Sequence, residues 1–333
     1  MTNLITTTDM HTAGEPLRII TGGLPEIQGK TVLERRRYFR EHLDHIRTGL
    51  IWEPRGHSDM YGVVLTPPND TGADFGAFFL HNEGYSTMCG HAVIALARYA
   101  VDSGMAKMQE HESIMVIDVP AGRIRATAQM KEDQVIGSAF WNVPSFVFLH
   151  QANIYIEGIG EIRFDIAYGG AFYAIVNADG LGIRMVPANA NLFIDLGRKI
   201  KKAVSDKFSI KHPFEEDLGF LYGTIFTGAA EDPAHHSRNV CIFADGELDR
   251  SPTGSGISAR VALHYLSKEV KPGEKITIES ILGTAMEVEI SEITTYGPYP
   301  AVIPKVSGQA YYTGEHTFVF EDNDPLMGGF LLR

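Results

Sequence analysis

Only two cysteines, Cys89 and Cys241, occur among 333 residues. That is too few for a disulfide framework, and too few for a cysteine-rich zinc site. Basic residues are also short, with 29 Lys and Arg against 41 Asp and Glu and a formal net charge of −12. Without a basic cluster the chain lacks the electrostatic footprint of a nucleic-acid partner, and nothing in it would hold an anionic lipid surface. No apolar run reaches the ~18–20 residues that span a bilayer. The opening residues 1–6 (Met-Thr-Asn-Leu-Ile-Thr) lack the basic region and apolar stretch of a secretory signal. There is no low-complexity tract and no charge block of tail length. These absences lead us to expect a reduced, cytoplasmic protein with no nucleic-acid and no membrane partner. What is present, 44% apolar and 21% charged residues, suits a packed globular chain, and the length suggests about two domains.

A faint repeat runs at half the chain length. An offset of 164 residues places Phe79 on Phe243, Glu83 on Glu247, Gly90 on Gly254, Val93 on Ile257 and Ala95 on Ala259, and it sets Cys89 against Thr253. Each copy reads as strand, polar turn, helix. Residues 75–80 and 239–244 are short apolar runs ending at glycine-containing turns. Gly90 to about Val101 and Ser255 to about Leu266 hold helix formers and no proline. Ala92, Val93, Leu96, Ala97 and Ala100 recur at helical spacing among other apolar residues, the pattern of a helix buried nearly all round. Elsewhere strand-like runs dominate, at 113–118, 123–128, 275–279 and 286–290. Residues 199–211 read as a separate surface helix and loop. The expected class is α+β, with two similar domains, each a mainly antiparallel sheet wrapped around a central helix.

The two helix starts are where chemistry is expected. Unpaired N–H groups and the positive end of the helix dipole gather there, and a thiol so placed is stabilised as thiolate. Cys89 is therefore either a reactive thiol or a buried structural cysteine. Cys241, inside an apolar run, reads as inert core. Thr253 opens the matching helix and fits an N-cap. If the two starts face one small anionic ligand, their N–H groups would hold its carboxylate.

Several motifs resemble one known family. Residues 88–91 (Met-Cys-Gly-His) and 249–256 (Asp-Arg-Ser-Pro-Thr-Gly-Ser-Gly) look like the two signature motifs of the proline racemase family. Residues 9–16 (Asp-Met-His-Thr-Ala-Gly-Glu-Pro), 54–62 (Pro-Arg-Gly-His-Ser-Asp-Met-Tyr-Gly), 82–86, 169–174, 237–240 and 314–318 also match, in order, across nearly the whole chain. The resemblance implies the proline racemase and diaminopimelate epimerase type of fold, with the active site in the cleft between two domains. It implies residues 1–127 plus 308–333 as the domain carrying Cys89, and 128–307 as the domain carrying Thr253. Cys89 matches the general base, and Gly90, His91, Asp249, Gly254 and Ser255 match substrate-binding positions. Asp249 would accept from a ring ammonium, and His91 is either a substrate contact or a first-turn helix residue. No cofactor and no metal are implied, and a homodimer is.

One departure sets the expected activity. The racemases carry a second cysteine where this chain has Thr253, and a threonine hydroxyl is a poor proton donor to a carbanion. The branch with a Cys/Thr pair dehydrates trans-3-hydroxy-L-proline, so the resemblance implies a hydro-lyase with Cys89 and Thr253 as catalytic residues. In that substrate the 3-hydroxyl and the α-hydrogen share one ring face. One thiolate can take the proton and return it to the departing oxygen. The alternatives are a proline or 4-hydroxyproline epimerase, which Thr253 disfavours, and a non-catalytic amino-acid-binding relative, which Cys89 disfavours. Ser255 stands where threonine is usual and keeps the hydroxyl. Residues 254–259 fit a dinucleotide G-x-G-x-x-A pattern, but the long turn from the preceding strand argues against it. Asp232, His235 and His236 read as a polar loop rather than a metal site. Glu53, Arg55, His57 and Asp59 read as a motif that fixes a turn, and Tyr61 and Phe79 as core aromatics.

Overall fold

The computed structural model describes residues 3–332, which fall into two compact units. One comprises residues up to Met88, Ala92–Ser138 and from Gln309 onward. The other comprises Cys89–His91 and Ala139–Gly308. The first unit runs through β1 (Asn3–Thr12), β2 (Glu15–Gly22), α1 (Val32–His42), α2 (Asp44–Ile51), β3 (Tyr61–Thr66), β4 (Phe75–His81) and β5 (Gly84–Ser86). It continues through α3 (Gly90–Asp102), whose first two residues belong to the second unit, then β6 (Glu112–Val119), β7 (Gly122–Lys131) and β8 (Gln134–Trp141), whose last three residues also belong to the second unit. The second unit holds β9 (Ser145–Ile156), β10 (Gly160–Tyr168), β11 (Phe172–Asn177), α4 (Ala190–Lys207), β12 (Leu221–Gly228) and β13 (Ser237–Phe243). It then holds β14 (Glu247–Leu248), α5 (Gly254–Leu266), β15 (Lys275–Glu279), β16 (Ala285–Tyr296) and β17 (Tyr299–Gly308). The last strand, β18 (Ala310–Phe320), pairs with β1 in the first unit.

The half-chain relation reappears in the order of strand pairing. In the first unit β1–β2 is antiparallel, β2–β3 parallel, β3–β4 and β4–β5 antiparallel, β4–β6 parallel and β6–β7 antiparallel. The second unit repeats that order from β10–β11 through β15–β16. In each, a helix follows the short third hairpin strand, and α3 and α5 are both 13 residues long at the 164-residue offset. Pairings β16–β17, β17–β9 and β9–β10 close the second unit into a barrel. Helix α5 packs against β9, β10, β11, β16 and β17 and is buried from Gly254 to Ala262. The architecture is α+β, a mixed sheet with few helices.

Burial follows the sequence pattern. Strands β4 and β13, each with a parallel and an antiparallel neighbour, are buried at every position. In β4 that is the near-continuous apolar run of a strand covered on both faces, whereas β13 buries Ser237, Arg238 and Asn239 before its apolar half. Strand β7 instead alternates, with Ile124, Ala126 and Ala128 inward. Helix α1 starts at Thr31, whose hydroxyl accepts from Glu34 N at 3.2 Å, while Glu34 accepts from Lys30 N at 2.7 Å.

One helix differs from the sequence reading of residues 199–211. Helix α4 begins at Ala190, and Phe193, Leu196, Gly197, Ile200 and Val204 form a buried stripe. The apolar period starts well before the charged run at residues 198–202, and α4 packs on β12, β13 and β9. Among the described residues no helix is long and apolar enough to cross a membrane.

Candidate active site

The starts of α3 and α5 meet backbone to backbone. A methyl group added at Gly90 would stand 2.5 Å from Gly254 Cα, and one at Gly254 would stand 2.7 Å from Gly90 Cα. Only glycine permits this approach. The Phe140 ring, 3.1 Å from the same position at Gly90, closes the contact. Cys89 and Thr253 each stand one residue before these glycines, so the pair set together by the repeat is brought together in space.

The turn at Thr253 departs from an N-cap. Its hydroxyl makes no capping bond, and Oγ1 is buried without a hydrogen-bond partner among the described residues. Its backbone sits at φ 64°, ψ 91°, a region that β-branched residues rarely occupy. The N-cap reading is therefore corrected: Thr253 holds the cap position, but from this backbone conformation its hydroxyl makes no bond to the N–H groups it would cap. The first helical bond runs from Ile257 N to Thr253 O at 2.8 Å. The N–H groups of Gly254, Ser255 and Gly256 precede it and belong to the open end of the helix, an anion-binding arrangement.

Around this point the other sequence candidates gather. Cys89 is 4% exposed, and its Sγ lies 3.2 Å from His91 Nδ1. The imidazole thus contacts the thiol itself, where the sequence leaves His91 between substrate contact and helix residue. Ser255 Oγ lies 2.7 Å from Tyr173 Oη. Complete burial holds the Tyr173 phenol well above its ordinary range, so it stays protonated. Asp249 is buried, and its Oδ1 accepts from Ser251 N at 2.7 Å. Tyr173 and Phe140 were missed as site residues. Tyr173 lies in the 169–174 motif, but its partner is 82 residues away in sequence.

Four further candidates resolve into structure. Arg55 donates to Val319 O and Met327 O and pairs with Asp324, and Asn82 Nδ2 donates to His57 O at 3.1 Å. The 53–59 cluster thus fixes a turn, as its sequence suggested. Tyr61 and Phe79 are buried in β3 and β4, the Tyr61 hydroxyl bonded to Ser86 Oγ. His235 is taken up by Glu279, a buried carboxylate that also accepts from Arg238 and from the N–H groups of Glu231 and Asp232. These donors outweigh burial and hold Glu279 down at about 2. Cys241 is buried in β13.

Two histidines make the fold acid-sensitive. Burial lowers His212 to about 4, and burial with the neighbouring Arg260 lowers His264 to about 4. A histidine that ionises less readily folded than unfolded contributes its full stability above about pH 6.5 and loses it as pH falls toward 4. At pH 5 each is expected to cost roughly 2 kcal/mol relative to pH 8. The melting temperature should drop by about 5 °C between those pH values, and His212→Gln should shrink the drop. An unchanged melting temperature would refute the assignment.

The pattern of the proline racemase family matches residues 7–331. The chain belongs to the proline racemase family. It is 48% identical over 329 residues to the trans-3-hydroxy-L-proline dehydratase of Colwellia psychrerythraea, covering 99% of this chain and 93% of that protein. It is 44% identical over 338 residues to the human protein of the same name, covering 100% and 96%. Among solved structures, a hydroxyproline epimerase of Agrobacterium vitis with bound trans-4-hydroxy-L-proline is 32% identical. It superposes with a TM-score of 0.94 over 99% of this chain and 95% of that one. The fold is thus the proline racemase-like one, a mixed sheet forming a barrel with few helices.

Proposed function

We infer that this proline racemase family member is a hydro-lyase that converts trans-3-hydroxy-L-proline to 1-pyrroline-2-carboxylate. The observation that carries the reading is the Cys89/Thr253 pair at two touching helix starts, one thiol and one hydroxyl in place of two thiols. Dehydratases at 44–48% identity over the full length support it.

In this reading the substrate carboxylate rests on the open N–H groups of Gly254, Ser255 and Gly256, and the ring ammonium on Asp249. Both contacts draw charge from the α-carbon and acidify it. The Cys89 thiolate, with His91 beside it, takes the α-proton. The electron pair forms the C2–C3 double bond as the C3–O bond breaks. The new thiol then protonates the departing oxygen, releasing water and restoring the thiolate. The enamine left behind tautomerises to the cyclic imine. No step calls for a cofactor. We also attach to this reading the homodimer that the family resemblance implies and the cytoplasmic location expected from the sequence.

The test is product analysis with trans-3-hydroxy-L-proline, L-proline and trans-4-hydroxy-L-proline. Loss of water from the first, with no inversion of the other two, is expected. Inversion without dehydration would establish the epimerase instead, and binding of all three without turnover a non-catalytic relative.

A further inference from the structure

The strained backbone at Thr253 raises the question of what holds it. Both peptide groups flanking the residue are tied down. The Pro252 carbonyl accepts from Asn239 Nδ2 at 2.9 Å, Thr253 N donates to Ser251 Oγ at 3.0 Å, and the Thr253 carbonyl accepts from Ile257 N at 2.8 Å. Ser251 belongs to the same turn, and Ile257 to the helix that the turn starts. Asn239 alone comes from elsewhere, from the fully buried strand β13.

The amide of Asn239 has its orientation chosen for it. Its Oδ1 lies 3.4 Å from Arg260 Nη1. A guanidinium has donors and no acceptor, so it selects the amide oxygen, and the NH₂ end must then face the Pro252 carbonyl. Arg260 is buried on α5 and meets no carboxylate at ion-pair distance among the described residues. Its other end donates to Ser237 Oγ at 2.8 Å and to His264 Nε2 at 3.4 Å, and His264 Nδ1 donates to Glu269 at 2.6 Å. Even fully buried it remains charged at neutral pH, with burial lowering it only to about 10. A buried charge satisfied by neutral groups is costly, and its geometry here is aimed at one amide. Ser237 and Asn239 are also the first and third residues of the 237–240 motif, to which the reaction scheme assigns no part.

We propose that Asn239, oriented by Arg260, is a positioning residue that locks the 252–253 peptide so that Thr253 keeps its left-handed backbone and presents its hydroxyl to the substrate. The proposal rests on the dehydratase reading for its kinetic consequence, but not for its structural one. A strained residue persists only where its surroundings over-determine it. Without the Asn239 bond, the 252–253 peptide is held only from within its own turn, by Ser251 Oγ, and Thr253 can relax to negative φ.

The test uses Asn239→Ala and Asn239→Asp in the full chain. Aspartate keeps the shape and pairs with Arg260, so folding is retained, but it presents a second acceptor to the Pro252 carbonyl and cannot donate. Both variants should lose about 10- to 100-fold in kcat for dehydration, with KM within about threefold of wild type. The rate of Cys89 alkylation should stay within about twofold. In a Thr253→Ala background the same substitutions should add less than about threefold, because the residue they position is already gone. Crystal structures should show Thr253 at positive φ in wild type and at negative φ in Asn239→Ala. Losses that multiply with Thr253→Ala, or a Thr253 backbone unmoved in both Asn239 variants, would overturn the proposal. Absence of dehydration by wild type would instead sink the dehydratase reading, and the two crystal structures would still decide the positioning role.

Discussion

Cys89→Ser should retain the fold and lose at least about a thousandfold in dehydration rate. A serine hydroxyl is protonated near neutral pH, so neither the base that takes the α-proton nor the acid that returns it remains, and each such proton transfer is worth about 10²–10⁴. The substitution changes one buried atom, and His91, 3.2 Å from Sγ, offers the new hydroxyl a hydrogen-bond partner, so melting should move little. Two thiols allow an internal control. Cys241 lies in β13, where every residue is buried, whereas Cys89 stands at the start of α3 with His91 beside its Sγ. Iodoacetamide should modify Cys89 first, and trans-3-hydroxy-L-proline should protect it. An active serine variant, or equal labelling of both cysteines with no protection, would remove Cys89 from the mechanism.

Thr253 should show the opposite balance of stability and activity. Since its hydroxyl caps nothing and its φ is 64°, Thr253→Gly removes a strained conformation and should raise the melting temperature, by an amount equivalent to about 1–3 kcal/mol. Dehydration should nevertheless fall, because the buried hydroxyl that the proposed reaction turns toward the substrate, unpartnered among the described residues, is lost with the strain. Thr253→Cys carries the sharper chemical test. It supplies the second thiol of a two-base site, so L-proline in D₂O should show α-hydrogen exchange or inversion above the wild-type level. Thr253→Ala then fixes how far the hydroxyl participates. A moderate loss keeps Cys89 as carrier of both proton transfers, as proposed. A loss equal to that of Cys89→Ser would make Thr253 an essential acid and refute the single-residue elimination.

The contrast between these two residues shows which features a sequence carries. The equivalence of Gly90 and Gly254 is legible from the repeat, because the repeat preserves chain order and element length, and both are local properties of the chain. So is the buried character of β4 and α3, which follows from runs that are mostly apolar. The turn-fixing role of residues 53–59 is legible for the same reason. Proline, glycine and short polar side chains constrain their neighbours directly.

The role of Thr253 as a cap was inferred from a local rule, and local rules describe the chain when nothing distant intervenes. Here Asn239, from another strand, ties the peptide before Thr253 and supports a backbone that propensity disfavours. The start of α4 slipped for a related reason. Charged residues mark the exposed face, while its extent is set by how much of the Phe193–Val204 stripe the barrel covers. Composition, periodicity and motif order therefore specified the class of fold, the two helix starts and the Cys/Thr pair. The pairing of Tyr173 with Ser255, of His91 with Cys89, and of Arg260 with Asn239 was decided by folding. Hydrogen bonds depend on angstrom-scale approach and on which end of an amide or imidazole faces its partner, and no one-dimensional spacing encodes either.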